Sequence, residues 1–277
     1  MKKLLLLLLI CCCLYPYTGT AQYENDSSHP VPPFKIFDNL YYVGTDFVSA
    51  YIVKTNDGLI LVDALYGRFT DDIVPSMKSL GLDPARIKYI LCTHGHYDHM
   101  EGAEKIKDLT HARIGMTDAD WQIVEGKLPD DYKSTRSFPK RDLVIKDNDS
   151  LVLGGTVVHF YVTPGHTQGV LSIAFDVKDG SKKYHAFMFG GVGLNFKGVA
   201  RTEQYLRSVE RIMLMRDIQV NISNHPDPGK IFERYQLLKE RKPGDIHPYV
   251  APLAFKEWML KLHKKAELKL IDEKKAQ

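Results

Sequence analysis

The sequence predicts one α/β domain built from two packed β-sheets with helices outside, and three observations carry that expectation. Strands, helices, strands and helices follow one another in that order along the chain. Apolar residues make up 44% of 277, enough for a full core. No internal repeat or long linker divides the chain, so the domain is expected to span 22–277.

The opening stretch "FKIFDNLYYVGTDFVSAYIVKTNDGLILVDALYG" reads as successive antiparallel strands, because "DN" and "NDG" punctuate its β-branched and aromatic runs. Residues 70–80 follow as a helix stopped by Gly81, and 87–92 as a buried strand. Next come "EGAEKIKDL" as a helix, "ARIGM" as a short strand, and "TDADWQIVEG" as a helix with Thr117 or Asp118 as cap and Gly126 as stop. The polar, proline-bounded stretch 129–140 is expected to form an exposed loop near the site. A second set of strands runs through "DLVI", "SLVLGG", "TVVHFYVT", "GVLSIAFDV" and "KKYHAFMFG". Helices over 202–215 and 251–272 close the chain with "IQVNIS" between them, the last one packing on the outer sheet with its lysines solvated.

Residues 1–21, "MKKLLLLLLICCCLYPYTGTA", have a basic start, a short apolar run and small residues before Gln22, the pattern of a cleaved signal peptide. The expected location is therefore periplasmic or secreted. The apolar run is short for a membrane span, so no stable membrane insertion is expected once it is removed. Ile10 is a poor neighbour for lipid attachment at Cys11, Cys12 or Cys13. After cleavage Cys92 is the only cysteine left, which excludes an internal disulfide and leaves room for a metal to add stability. The formal charge of +3 includes Lys2 and Lys3, so the remaining chain is near neutral and gives no argument for nucleic acid. A monomer is expected.

The chemistry concentrates in "LCTHGHYDHMEG", which packs three histidines and an aspartate into six residues after a buried strand. His94 and His96 alternate along an extended turn, so both imidazoles can reach one ion, and Asp98 and His99 face a neighbouring position. His166 in "TPGHTQG" and His225 in "ISNHPDPG" also follow apolar runs. Imidazole and carboxylate suit zinc. The assignment is His94, His96 and His166 on a first ion, with Asp98, His99 and His225 on a second. The competing reading is that Asp98 caps a helix and each histidine is an ordinary strand-end hydrogen-bonding residue. The density of ligand-type groups decides against it. His29, His111, His159, His185, His247 and His263 lack such context and take structural roles.

"HGHYDH" resembles the HxHxDH motif of the metallo-β-lactamase superfamily, and the likeness extends through "YYVGTDFVSAYIVKTNDGLILVD", "TPGHT" and "NHP". It implies a four-layer αββα sandwich and two zinc ions. Many hydrolases of the superfamily carry an aspartate bridging the metals, and Gly191 in "FMFGGVGLNF" stands in that place. No cysteine ligand stands there either. The chain is therefore most similar to subclass B3 metallo-β-lactamases, as "SAYIV" and "GDIHPYV" also suggest. It departs from them at Gly191 and Gly193, where serines commonly hold the substrate carboxylate, and at Glu101, where a glycine is usual. Asn195, Arg201, Ser223 and Asn224 are the candidates to replace those serines.

The resemblance implies hydrolysis of the β-lactam amide of small-molecule antibiotics by a zinc-activated hydroxide, with Asp98 binding the second zinc and orienting the attack. The alternative is a hydrolase of the same fold acting on a lactone, ester or thioester. A third reading, a zinc-binding protein without catalysis, predicts bound metal and no turnover.

Overall fold

The computed structural model describes residues 27–129 and 138–276. The leader expected at 1–21, and most of the loop expected over 129–140, lie outside them. In chain order the first half holds β1 (Phe34–Phe37), β2 (Leu40–Tyr42), β3 (Tyr51–Lys54), β4 (Leu59–Val62), α1 (Thr70–Ser79), β5 (Ile87–Leu91), α2 (Tyr97–Met100), α3 (Ala103–Thr110), β6 (Arg113–Thr117), α4 (Asp118–Val124) and β7 (Leu143–Ile145). The second half holds β8 (Ser150–Leu153), β9 (Thr156–Val162), β10 (Leu171–Asp179), β11 (Lys182–Phe189), α5 (Val199–Met213), β12 (Val220–Ser223), α6 (Pro226–Gly229), α7 (Ile231–Glu240) and α8 (Pro252–Lys275).

Strands β1 to β7 form one sheet in sequence order, and β12-β11-β10-β9-β8 form the other. The first four strands pair antiparallel, as the turn signals require, whereas β4 to β7 run parallel because helices connect them. Period-two alternation splits each strand between two cores. Tyr51, Val53, Ile60 and Val62 meet Ile173, Phe175, Val177 and Met188 between the sheets. Ile52, Leu59 and Leu61 turn outward against Ile73, Met77 and Ile106 of α1 and α3. Phe187 and Phe189 turn the other way, onto Tyr205, Val209, Phe255 and Met259 of α5 and α8. Helix, sheet, sheet and helix layers result, the αββα sandwich.

Several expected elements shift. Thr117 is the cap of α4, its Oγ1 accepting from Asp120 N at 3.3 Å. The helix expected from 202 starts at Val199, because Gly198 takes a φ of 108° that turns the chain into it. Helix α7 was not foreseen in the sequence. Only Ile231 and Arg234 of α7 are buried, so its apolar face is a weak signal. His247 has the packing role expected of it: its ring stacks on Phe37 at 3.9 Å and its Nε2 donates to Ile36 O.

One glycine locks the metal-rich loop to the sheet. Gly102 N donates to Leu65 O at 3.1 Å, and a β-carbon at Gly102 would overlap Ala64 O and the Thr70 side chain. Backbone cannot move aside as a flexible side chain can. Gly102→Ala is therefore expected to cost on the order of 3 kcal/mol, read as a lowered melting temperature. An unchanged melting curve would show that the 63–65 segment yields.

Candidate metal centre

Parallel strands leave their C-terminal ends at one edge of a sheet, and in α/β folds ligand groups gather there. β4 ends at Asp63, β5 leads into the 93–96 turn, β12 ends just before His225, and the β9–β10 turn brings His166 to the same edge. His96 is extended (φ −75°, ψ 147°) and caps α2, which puts Asp98 and His99 on its first turn.

Histidines distant in the chain converge. Ligand-type atoms of His94, His96 and His166 lie within 4.8 Å of one another, and so do those of His94, Asp98 and His99. His94 therefore sits between the two expected ligand sets. The ring centroids of His94, His96 and His166 are 4.6–4.7 Å apart. Asp98 Oδ2 is 3.3 Å from His99 Nε2 and 3.9 Å from His225 Nε2, so Asp98, His99 and His225 face one point as well.

The partners behind the rings fix which nitrogen faces inward. Carboxylate and carbonyl oxygens only accept, so a ring nitrogen bonded to one must carry the proton. His99 Nδ1 donates to Asp63 Oδ2 at 2.8 Å, His166 Nδ1 to Gly193 O at 3.0 Å and His225 Nδ1 to Phe47 O at 2.7 Å. Thr93 Oγ1 donates to Asp63 Oδ2 at 3.0 Å and so accepts from His94 Nδ1 at 3.1 Å. These four histidines all turn Nε2 inward. His96 turns its Nδ1 toward His94 Nε2 at 3.1 Å. Sequence reasoning missed Asp63, whose two oxygens receive Thr93 N, Thr93 Oγ1 and His99 Nδ1. A single aspartate closing "LILVD" reads like any strand-end turn residue. Its φ of 58°, with Leu65 at 57°, marks a strained backbone.

Electrostatics match this geometry. Burial, then the neighbouring imidazoles, holds His94 well below the usual histidine range. Burial, with His96 beside it, brings His166 down to about 3. Burial also lowers His225. His99 goes the other way: burial pulls it down, but the Asp98 and Asp63 carboxylates outweigh burial and raise it to about 10. Burial would lift Asp98, yet His99, His225 and His96 hold it below the carboxylate range. The neutral imidazoles of His94, His166 and His225 and the Asp98 carboxylate form a cradle for a dication, and His99, kept protonated by its two carboxylates, must release its Nε2 proton to join them. His99 Nε2 is buried and makes no hydrogen bond. That orphaned nitrogen, together with the nitrogen and oxygen donor set, fits zinc.

The cluster floors a pocket of about 460 Å³ whose walls include Phe47, Tyr97, Val192, Pro226 and Pro228. Of the four side chains expected to replace the serines, only Asn195 lines it. The other three lie off that lining, each with partners of its own. Arg201 Nε donates to Gly165 O at 2.7 Å and its guanidinium also reaches His166 O, so it clamps the turn that carries His166. Ser223 is fully buried, with its carbonyl accepting from Tyr51 Oη at 2.8 Å. Asn224 is 1% exposed and donates to Gly190 O. A β-carbon at Gly191 would sit 2.7 Å from His166 Cβ, and one at Gly193 would sit 3.0 Å from His166 Cε1. His166 Cβ and Val170 thus occupy the space a side chain at 191 would need, and Asn195 with the His166 ring that at 193.

The profile of the metallo-beta-lactamase superfamily matches residues 43–179. Native FEZ-1 metallo-beta-lactamase from Legionella gormanii superposes with a TM-score of 0.80 at 30% identity, covering 89% of this chain and 98% of that one. BJP-1, a subclass B3 metallo-beta-lactamase of Bradyrhizobium japonicum, gives a TM-score of 0.80 at 28% identity over 89% and 96%. A hydroxyacylglutathione hydrolase of Pseudomonas fluorescens (strain SBW25) is 27% identical over 200 residues, 63% of this chain and 67% of that one. Sequence motif, layer order, converging ligands and these likenesses agree: the chain belongs to the metallo-β-lactamase superfamily.

Proposed function

We propose that this hydrolase opens the amide bond of β-lactam antibiotics, as a subclass B3-like enzyme holding two zinc ions. The observation that carries the reading is the second ligand set: Asp98 Oδ2 faces both His99 Nε2 and His225 Nε2, while Gly191, the place of a bridging carboxylate, is backed by His166. The reading includes export through the leader at 1–21.

When bound, zinc supplies a Lewis acid for the substrate carbonyl and acidifies the attacking water. The chain does the rest. His94, His96 and His166 would hold the first ion, and Asp98, His99 and His225 the second. Asp98 also orients the water, because its carboxylate is 16% exposed and lines the pocket floor. Phe47, Tyr97 and Val192 keep bulk water from the scissile bond, and the Asn195 amide presents a polar contact for the substrate.

A second reading has its own observation. With glycines at 191 and 193, the pocket lacks the serines that commonly hold a β-lactam carboxylate. A lactone, ester or thioester would not need them. The zinc-loaded protein is expected to turn over nitrocefin or a carbapenem faster than an acyl lactone or an acylglutathione thioester. Turnover of the lactone or thioester alone would replace the β-lactam reading, and bound zinc with no turnover at all would remove the enzymatic one.

A further inference from the structure

Helix α8 (Pro252–Lys275) is about 36 Å long at its standard rise. Its inner face, Phe255, Met259, Leu262 and Ala266, is buried against the second sheet and α5. Its outer face is not polar. Leu253, Leu260, Leu268 and Ile271 are 72%, 57%, 54% and 48% exposed, and their spacing places them along one stripe. Lys256, Lys261, Lys264 and Lys265 flank that stripe without an ion pair to any described residue. Lys269, Lys274 and Lys275, by contrast, pair with Glu273, Glu203 and Asp272. A groove of about 300 Å³ is lined by Trp258, Lys261, Leu262, Lys264, Lys265 and Leu268, three lysines beside one aromatic and two aliphatic side chains.

The charge pattern selects the occupant. A second copy meeting this face by two-fold symmetry would press four lysines against four, with only Glu257 and the His263-paired Glu267 as carboxylates along the stripe. A surface of phosphates above acyl chains satisfies both features at once: the ammonium groups reach phosphate oxygens, the leucines enter the headgroup boundary, and Trp258 sits at the level aromatic residues prefer. No helix among the described residues is long and apolar enough to cross a membrane, so contact through this face would be in-plane. We propose that the outer face of α8 docks the enzyme on an anionic phospholipid surface. None of the residues involved lines the metal pocket.

The test is co-sedimentation of the full zinc-loaded chain with vesicles of phosphatidylcholine alone or mixed with phosphatidylglycerol, at low and high salt. Stronger partitioning onto the mixed vesicles, weakened by salt, is expected. The triple variant K261E/K264E/K265E should lower it on the order of 100-fold, and Leu260→Ser with Leu268→Ser about tenfold, while hydrolysis stays unchanged. The leader is common to all variants, so the differences report α8. Brominated lipid should quench the Trp258 share of the emission, taken as the difference from a Trp258→Phe variant that retains the buried Trp121, a local readout that a membrane-bound leader would not produce. Equal partitioning of parent and lysine variant, or an unquenched Trp258, would overturn the proposal. So would a dimer in light scattering that the leucine variant splits while vesicles bind neither protein.

Discussion

Asp98→Ala is expected to lower kcat/KM about 10³-fold, roughly 4 kcal/mol of transition-state stabilisation, and, on the proposed two-zinc site, to reduce bound zinc from two ions per chain to one. Asp98 is the single carboxylate in either tight group of ligand atoms among the described residues. On the function proposed above, removing it leaves only imidazoles to hold the second ion and leaves the pocket floor without the anion that would orient the attacking water. The fold should survive, because Asp98 sits on a one-turn helix and His99 keeps Asp63 on its other nitrogen. Asp98→Asn keeps the size and one acceptor oxygen but not the charge. It should lose a similar factor in rate and less zinc, a split that separates metal retention from catalysis. Steady-state kinetics beside metal analysis at matched zinc decide the matter. An alanine variant within tenfold of the parent would take Asp98 out of the chemistry.

The layers and the metal-rich turn were legible in the sequence because each rests on a local pattern. "YIVKTNDGLILVD" alternates and turns within one stretch, and "HGHYDH" holds its ligand atoms within a single loop. His166 and His225 were legible as polar residues closing apolar runs, a signal that survives sequence distance because strands deliver their ends to a common edge. What the sequence hides is whatever depends on backbone oxygens. Gly193 O and Phe47 O orient two of the histidines, and every residue carries a carbonyl. Arg201 shows the same limit for a side chain. A cation near a predicted anion site reads as a substrate anchor, yet α5 aims it at the carbonyls of the His166 turn and lays it over the Phe196 ring at 5.2 Å. Polar identity was visible in these cases, but direction was not.

The second large effect is expected at Asp63, which makes no claim on a ligand position. Three donors converge on its two oxygens: Thr93 N at 2.7 Å, Thr93 Oγ1 at 3.0 Å and His99 Nδ1 at 2.8 Å. The Asp63 and His99 side chains are both fully buried, so any group left unpaired there has no water to turn to. Asparagine offers one acceptor and directs an amide N–H toward a neighbour that also donates. Asp63→Asn should therefore behave as a disruption rather than a conservative change. The expected losses are about 3 kcal/mol of stability and between 10- and 100-fold in zinc affinity at the His99 set. Asp63→Glu would keep the charge but not fit a fully buried site, so it should not rescue. Chemical denaturation and chelator competition measure the two losses separately. If the asparagine variant kept both stability and zinc affinity, His99 would need another source of orientation. The proton map that gives four histidines an inward Nε2 would then fail at a fully buried member.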